Sequence, residues 1–211
     1  MSRVVTIGFW SVLLMILMVV LFDIGLMIAF VYPDFGKNLA YLSSFFLAWT
    51  FLASMACIHR YAPEDRKIWS QLGLSVATIY AALNTMVYYV QLVVVRTNPL
   101  NVSSASLALF VYTPGSVFFA IDMLGYGFLT LAMLLAAQVF VGGRLEHYIR
   151  WLFIVNGLIF IPTLLYPAFL TAPLDTSSTT GSLILLAWSP IFIPACALLA
   201  LLFKRVRQTK S

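Results

Sequence analysis

The sequence predicts an all-α, polytopic membrane protein that forms a bundle of six transmembrane helices with both termini in the cytoplasm. The chain has 211 residues, of which 63% are hydrophobic and only 9% are charged, and its mean hydropathy is +1.01. So few charged residues cannot cover the surface of a soluble domain of this length, whereas a surface in contact with lipid needs no such cover. Six long apolar stretches and an uneven distribution of Lys and Arg predict the same class.

The apolar stretches define the spans. A helix needs about 20 apolar residues to cross the hydrocarbon of a bilayer. Runs of that length, bounded by polar residues, Pro or Gly, cover residues 6–31, 39–58, 69–95, 116–141, 149–170 and 182–203 of a single domain, 1–211. The first run is too long for the apolar core of a signal peptide, so we interpret it as the first span. The short connections require neighbouring helices to be antiparallel.

The longest connection contains a partly apolar stretch, SSASLALFVY, at residues 103–112. It has too few residues to cross a bilayer as a helix. We therefore expect it to lie along the interface or to fold back over the bundle.

The positions of Lys and Arg predict the orientation, because cytoplasmic loops are enriched in these residues. With the N-terminus inside, ten of the twelve face the cytoplasm and only Lys37 and Arg96 lie opposite. The ten are Arg3, Arg60, Arg66, Lys67, Arg144, Arg150, Lys204, Arg205, Arg207 and Lys210. Insertion and contact with anionic lipid headgroups account for the net charge of +5, so no nucleic-acid partner is expected. We expect a multi-pass protein of the plasma (inner) membrane.

Two carboxylates, Asp23 in the first span and Asp122 in the fourth, interrupt these apolar stretches. They are about eight and about seven residues from the outer ends of their spans, which at ~1.5 Å per residue puts both roughly 10–12 Å below the outer surface. A charged carboxylate facing lipid costs several kcal/mol, so each must be turned inward, be protonated or have a partner. No Lys or Arg occurs at that depth in any predicted span.

Other polar side chains are predicted at about the same level. Asn84, Tyr88 and Gln91 follow i, i+4, i+7 spacing on the third span and so share one helical stripe. Tyr126 follows Asp122 by four residues, and Trp188 is near the same depth in the sixth span. Pro190 and Pro194 then predict a kink in that span. The candidate ligand-binding or ion-binding residues are Asp23, Asn84, Tyr88, Gln91, Asp122, Tyr126 and Trp188.

These residues lead to three hypotheses for function. The first is an outward-facing polar pocket within the bundle that binds or transports a small cationic or amphipathic ligand or a proton. The second is an accessory or scaffold subunit with a membrane-protein partner, in which Gly25 and Ala29 form a close helix contact. The third is a membrane-embedded enzyme acting on a lipid or isoprenoid, with the paired Asp residues as acid and base. The expected motifs of such enzymes are absent from the sequence, so a non-enzymatic role is preferred.

Structural roles explain several of the same residues. A protonated Asp can simply hydrogen-bond a neighbouring helix, and Tyr89, Tyr112 and Trp188 fit an interfacial aromatic belt. Cys57 and Cys196 lie singly in apolar segments, and His59 and His147 are isolated, so neither a metal site nor a cofactor is expected.

Overall fold

The computed structural model describes residues 2–98, 103–113, 116–161, 186 and 188–209, and within them every regular element is helical. We number the helices α1 to α7 in chain order. They are α1 (Ser2–Ala29), α2 (Pro33–Tyr61), α3 (Lys67–Val90), the short α4 (Ser104–Leu107), α5 (Val117–Ala136), α6 (Arg144–Leu158) and α7 (Ser189–Thr209). A π-helical turn, Gln91–Val95, extends α3, and 3₁₀ turns occur at Glu64–Arg66 and Ala137–Val139.

In the part of the chain that the structure describes, five helical segments are long and apolar enough to cross a membrane. They cover Arg3–Ala29, Pro33–Tyr61, Glu64–Val95, Val117–Val139 and Ser189–Gln208. Large apolar side chains such as those of Trp10, Trp49 and Leu158 are more than half exposed. An apolar surface of this kind is typical of a protein that faces lipid. The all-helical class is thus confirmed, and membrane insertion by several helices is supported.

Some boundaries differ from the predicted ones. The second span was expected to begin at residue 39, but α2 already begins at Pro33. Proline suits the first helical position, and Asp34 in the first turn interacts favourably with the helix dipole, so most of the expected loop is helix. Pro190 likewise occupies the first turn of α7, which leaves Pro194 as the proline inside that helix. The end of the fifth predicted span and the start of the sixth lie outside the described residues.

Within the described residues, all the helices except the short α4 form a closed ring in chain order. Each helix contacts the next one, with α5 following α3 in the ring, and α7 contacts both α6 and α1. Most of their buried apolar side chains form one large cluster, including Phe51, Met55, Tyr80, Leu129 and Phe203. Val87, Tyr88 and Phe118 form a second, smaller cluster. We call the end of the ring where α1 and α3 finish the distal end, and the end that carries most Lys and Arg the basic end.

The close packing of α1 against α2 uses small residues. A Cβ atom added at Gly36 would lie 2.3 Å from the backbone nitrogen of Ala29, and one added at Gly25 would lie 2.8 Å from that of Ala40. The Gly25 and Ala29 surface, considered above as a contact for a partner protein, is therefore occupied by α2 of the same chain. This removes the sequence feature that favoured a scaffold role.

Candidate functional site

Asp122 is the centre of a polar cluster between α3 and α5. Its side chain is fully buried, with 0% exposure. Asn84 Nδ2 on α3 donates a hydrogen bond to Asp122 Oδ1 at 3.0 Å, and the Tyr112 hydroxyl donates to Asp122 Oδ2 at 2.8 Å. Arg66 pairs with Asp65 and Lys67 with Glu64, both near the basic end, and neither pair involves Asp122. The carboxylate therefore has two neutral donors and no cationic partner in the described part of the chain.

Asn84 reaches Asp122 because α5 carries a glycine opposite it. A Cβ atom at Gly125 would lie only 1.9 Å from Asn84 Oδ1. Asn84 is itself fully buried, and its Oδ1 has no hydrogen-bond partner in the described structure. The absence of a side chain at Gly125 thus makes room for the Asn84 amide.

The segment 103–113 folds back over the distal end, and we call it the strap. Gln91 holds it through its side-chain amide: Nε2 donates to the carbonyl oxygen of Phe110 at 2.6 Å, and Oε1 accepts from the backbone N–H of Tyr112 at 3.1 Å. Gln91 is the first residue of the π-helical turn, a distortion often found at functional sites. Of the two positions expected for residues 103–112, folding over the bundle is the one observed.

The strap carries Tyr112 onto Asp122. Burial, together with the nearby Asp122 carboxylate, raises the pKa of Tyr112 well above its ordinary value. The hydroxyl therefore keeps its proton at physiological pH and remains a hydrogen-bond donor to Asp122. Its ring packs against Tyr41, Tyr88 and Phe119 at centroid distances of 6.0, 6.4 and 5.4 Å.

Tyr126, one helical turn after Asp122 on α5, and Tyr88, one helical turn after Asn84 on α3, continue the cluster. Their hydroxyl oxygens are 3.3 Å apart, at the long end of hydrogen-bonding distance. The indole of Trp188 meets the ring of Tyr126 edge-on, with centroids 6.2 Å apart. Five of the seven predicted site residues thus belong to one group of contacts, in which Tyr112 connects Asp122 and Asn84 to Tyr88, Tyr126 and Trp188. Gln91 joins them through the strap.

Asp23 has a different partner. Its Oδ1 accepts a hydrogen bond from the Ser189 hydroxyl at 2.8 Å, so it joins α1 to the start of α7. The side chain is only partly buried. Asp23 and Asp122 are therefore bonded to separate groups, and this pattern gives no support to an acid and base pair of the kind an enzyme would use. Trp188, the neighbour of Ser189 in the chain, contacts Tyr126 and so connects Asp23 to the Asp122 cluster.

Sequence reasoning missed several members of the cluster. Tyr112 was assigned to an interfacial belt, and no local pattern predicted that it would reach Asp122. Ser189 was not identified either, because its role depends on where α1 packs. Tyr80, by contrast, lies four residues before Asn84 on the same stripe and is fully buried, so extending that stripe by one turn would have found it. Tyr89, at 55% exposure, is on the outer surface as expected.

Within the described residues, no three His, Cys, Asp or Glu side chains form a group able to hold a metal ion. Comparison of the chain with models of protein families, with curated protein sequences and with solved structures finds no match.

Proposed function

We propose that this protein spans the plasma membrane six times with both termini in the cytoplasm, and that it transports protons through reversible protonation of Asp122. The observation that carries the proposal is the complete burial of this carboxylate among neutral donors from α3 and the strap. The distribution of Lys and Arg makes the distal end the outer one.

The electrostatics of the cluster favour a proton as the ligand. A full negative charge enclosed in a bundle within hydrocarbon costs several kcal/mol unless a cation or a proton balances it. No cationic side chain does so among the residues that the structure describes. A larger cationic or amphipathic ligand would require Tyr112 and the strap to move away from Asp122, whereas a proton fits the closed arrangement.

Asn84 suits both protonation states of Asp122. A side-chain amide carries an –NH₂ donor and an acceptor oxygen. A flip of the amide group exchanges the positions of the two. The –NH₂ group donates to the ionised carboxylate in the observed arrangement. After the exchange, the oxygen would accept from the protonated carboxyl, so proton release and uptake would both leave Asp122 with a partner.

The two halves of the ring differ in a way that fits transport by alternating access. The distal half holds the polar cluster, whereas towards the basic end α3 packs tightly on its neighbours. A Cβ atom at Gly73 would lie 3.1 Å from both the Ala132 carbonyl oxygen and Met55 Cε. This packing would prevent a continuous proton leak through the bundle.

The test is proton flux in vesicles that contain purified protein and an entrapped pH-sensitive dye, driven by a potassium diffusion potential. We expect the wild-type protein to acidify the vesicles faster than protein-free vesicles acidify. Asp122→Asn should reduce this rate to the protein-free level, because an amide cannot take up and release the proton.

Asp34→Asn is the matched control. It makes the same chemical change at an exposed residue in the first turn of α2 and should leave the rate unchanged. A normal flux with Asp122→Asn, or a wild-type flux equal to that of empty vesicles, would refute the proposal.

A further inference from the structure

Tyr112 of the strap lies between Asp122 and the surface of the molecule. Its hydroxyl donates to Asp122 Oδ2 at 2.8 Å, and its side chain remains partly exposed although Asp122 is fully buried. The ring contacts three helices, through Tyr41 of α2, Tyr88 of α3 and Phe119 of α5. Tyr112 therefore fills a gap between these helices, with the carboxylate on its inner side.

The strap itself is attached more weakly than the long helices are to each other. The Gln91 side chain bonds to the Phe110 carbonyl oxygen and to the Tyr112 N–H, and the Phe110 ring contacts Phe118 of α5 at a centroid distance of 5.5 Å. Leu109 and Phe110 are 56% and 40% exposed. A segment with little buried apolar surface opens at a lower free energy than packed helices do, so the strap can open while the bundle stays folded.

Asp122 can exchange a proton with water only if water reaches it. Both of its oxygens already have a donor, Asn84 Nδ2 on Oδ1 and the Tyr112 hydroxyl on Oδ2. Asn84 is itself fully buried, whereas Tyr112 extends to the surface. Displacement of Tyr112 would therefore free Asp122 Oδ2 from the side of the strap.

We propose that the strap is a gate over the Asp122 site, in which the Tyr112 ring closes the site and Gln91 is the positioning residue that holds Tyr112 in place. The structure shows the closed state. The role of the gate in transport rests on the function proposed above, because opening at the distal end would give Asp122 access to protons from the outer side. Closure then separates the carboxylate from water again.

The first test measures how fast a water-soluble carbodiimide modifies Asp122 in the purified protein in detergent. Glycine ethyl ester is the nucleophile, and mass spectrometry of the peptide gives the rate. Modification should be slow in the wild type because the carboxylate is enclosed. Gln91→Leu removes both hydrogen bonds to the strap backbone and should make it faster by on the order of tenfold.

Two controls accompany this measurement. Gln71→Leu makes the same substitution at an exposed position of α3 and should leave the rate at Asp122 unchanged. Asp34, which is exposed in the first turn of α2, is the internal reference, and its rate of modification should be the same in every sample. Equal rates at Asp122 in the wild type and Gln91→Leu would overturn the gate.

Two substitutions of Tyr112 separate the effect of the ring from that of the hydroxyl. Tyr112→Ala removes the ring and should speed the modification of Asp122 at least as much as Gln91→Leu does. Tyr112→Phe keeps the ring, so Asp122 should react more slowly than in Tyr112→Ala. Equal rates in these two variants would overturn the assignment of closure to the ring.

The second test locks the strap onto α5. Because the rings of Phe110 and Phe118 are in contact, cysteines at both positions lie within reach of a short bis-methanethiosulfonate cross-linker. Cross-linking Phe110→Cys to Phe118→Cys should lower proton flux into vesicles by on the order of tenfold, since a closed lid prevents exchange with the site. Reduction of the cross-link should restore the flux, and each single-cysteine variant treated with the same reagent should be unaffected.

Normal flux in the cross-linked protein would overturn the role of the gate in transport. The carbodiimide measurement does not depend on transport. A failure of the proposed function, seen as normal flux with Asp122→Asn, is therefore distinguished from a failure of the gate, which would leave Asp122 equally reactive in the wild type and in Gln91→Leu.

Discussion

At the scale of single residues, Gly125 decides whether Asn84 can reach Asp122. The space that a methyl group would fill at position 125 is already occupied by the Asn84 oxygen, 1.9 Å from the Cβ position. With any side chain at position 125, the Asn84 side chain would have to leave its position. The helix α5 cannot move away instead, because that would disturb the core that contains Leu129 and Met133. The glycine is therefore required by the contact with Asn84 and not by backbone conformation.

Gly125→Ala should weaken the hydrogen bond between Asn84 and Asp122 while leaving the bundle folded. One hydrogen bond to a charged group contributes about 1.5–3 kcal/mol, so we expect proton flux to fall by on the order of tenfold or more. The measurement is the vesicle assay together with a check of helix content by circular dichroism.

Gly143→Ala provides the comparison for this substitution. An added Cβ atom there would meet no atom within 4 Å, so flux should be unchanged. Equal flux in wild type and Gly125→Ala would mean that the Asn84 contact is not needed for transport.

At the scale of elements, the strap completes a site that the long helices leave unfinished. It supplies the Tyr112 hydroxyl to Asp122, and its backbone is held by the Gln91 amide at Phe110 and Tyr112. The π-helical turn that starts at Gln91 ends at Val95. Because these contacts are few, the strap should open at a lower free energy than the core helices.

Gln91→Leu should loosen the strap without disturbing α3, because leucine has a similar size but cannot bond to the strap backbone. The N–H of Tyr112 donates to Gln91 Oε1, so its amide hydrogen should exchange with solvent faster. If the free energy of local opening falls by about 1.4 kcal/mol, this amide hydrogen exchanges about tenfold faster. The measurement is hydrogen exchange followed by mass spectrometry of peptides that cover residues 103–113.

Gln71→Leu is the control on the same helix, since Gln71 is exposed. Exchange in the strap should be the same as in the wild type for this variant. An unchanged strap in Gln91→Leu would show that other contacts hold it in place.

At the scale of the whole molecule, the closed ring holds the Asp122 cluster in its distal half and most of the charged side chains at its basic end. The ring order follows the chain, so each helix packs on its sequence neighbours, and α7 closes the ring against α1. Charged side chains accumulate at the basic end, where Tyr61 donates to Glu146 at 2.6 Å and joins α2 to α6. This polarity predicts a single orientation in the membrane.

Labelling of introduced cysteines tests that orientation. Ser106→Cys in the strap and Glu64→Cys between α2 and α3 are both at exposed positions. A maleimide that cannot cross membranes should label the first in intact cells and the second only after lysis. The native Cys57 and Cys196 are buried and should contribute little background. Labelling of Glu64→Cys in intact cells would contradict the cytoplasmic assignment.

The sequence alone was sufficient for the all-helical class and for the shared face of three polar residues on α3. Hydropathy predicted the helices, since only long apolar helices satisfy their backbone groups in lipid. The i, i+4, i+7 spacing placed Asn84, Tyr88 and Gln91 on one stripe, and the structure finds all three buried. Local periodicity determines which residues of a helix share a face, and this information is fully contained in neighbouring positions.

Only the tertiary structure determined which groups these residues contact. Asp122 is bonded to Tyr112 from the strap, whereas Asp23, predicted at the same depth, is bonded to Ser189 of α7. Gly25 packs against α2 of its own chain. These outcomes depend on how each helix is rotated about its axis and on where a connection folds, and both are set by the packing of side chains that are far apart in the sequence.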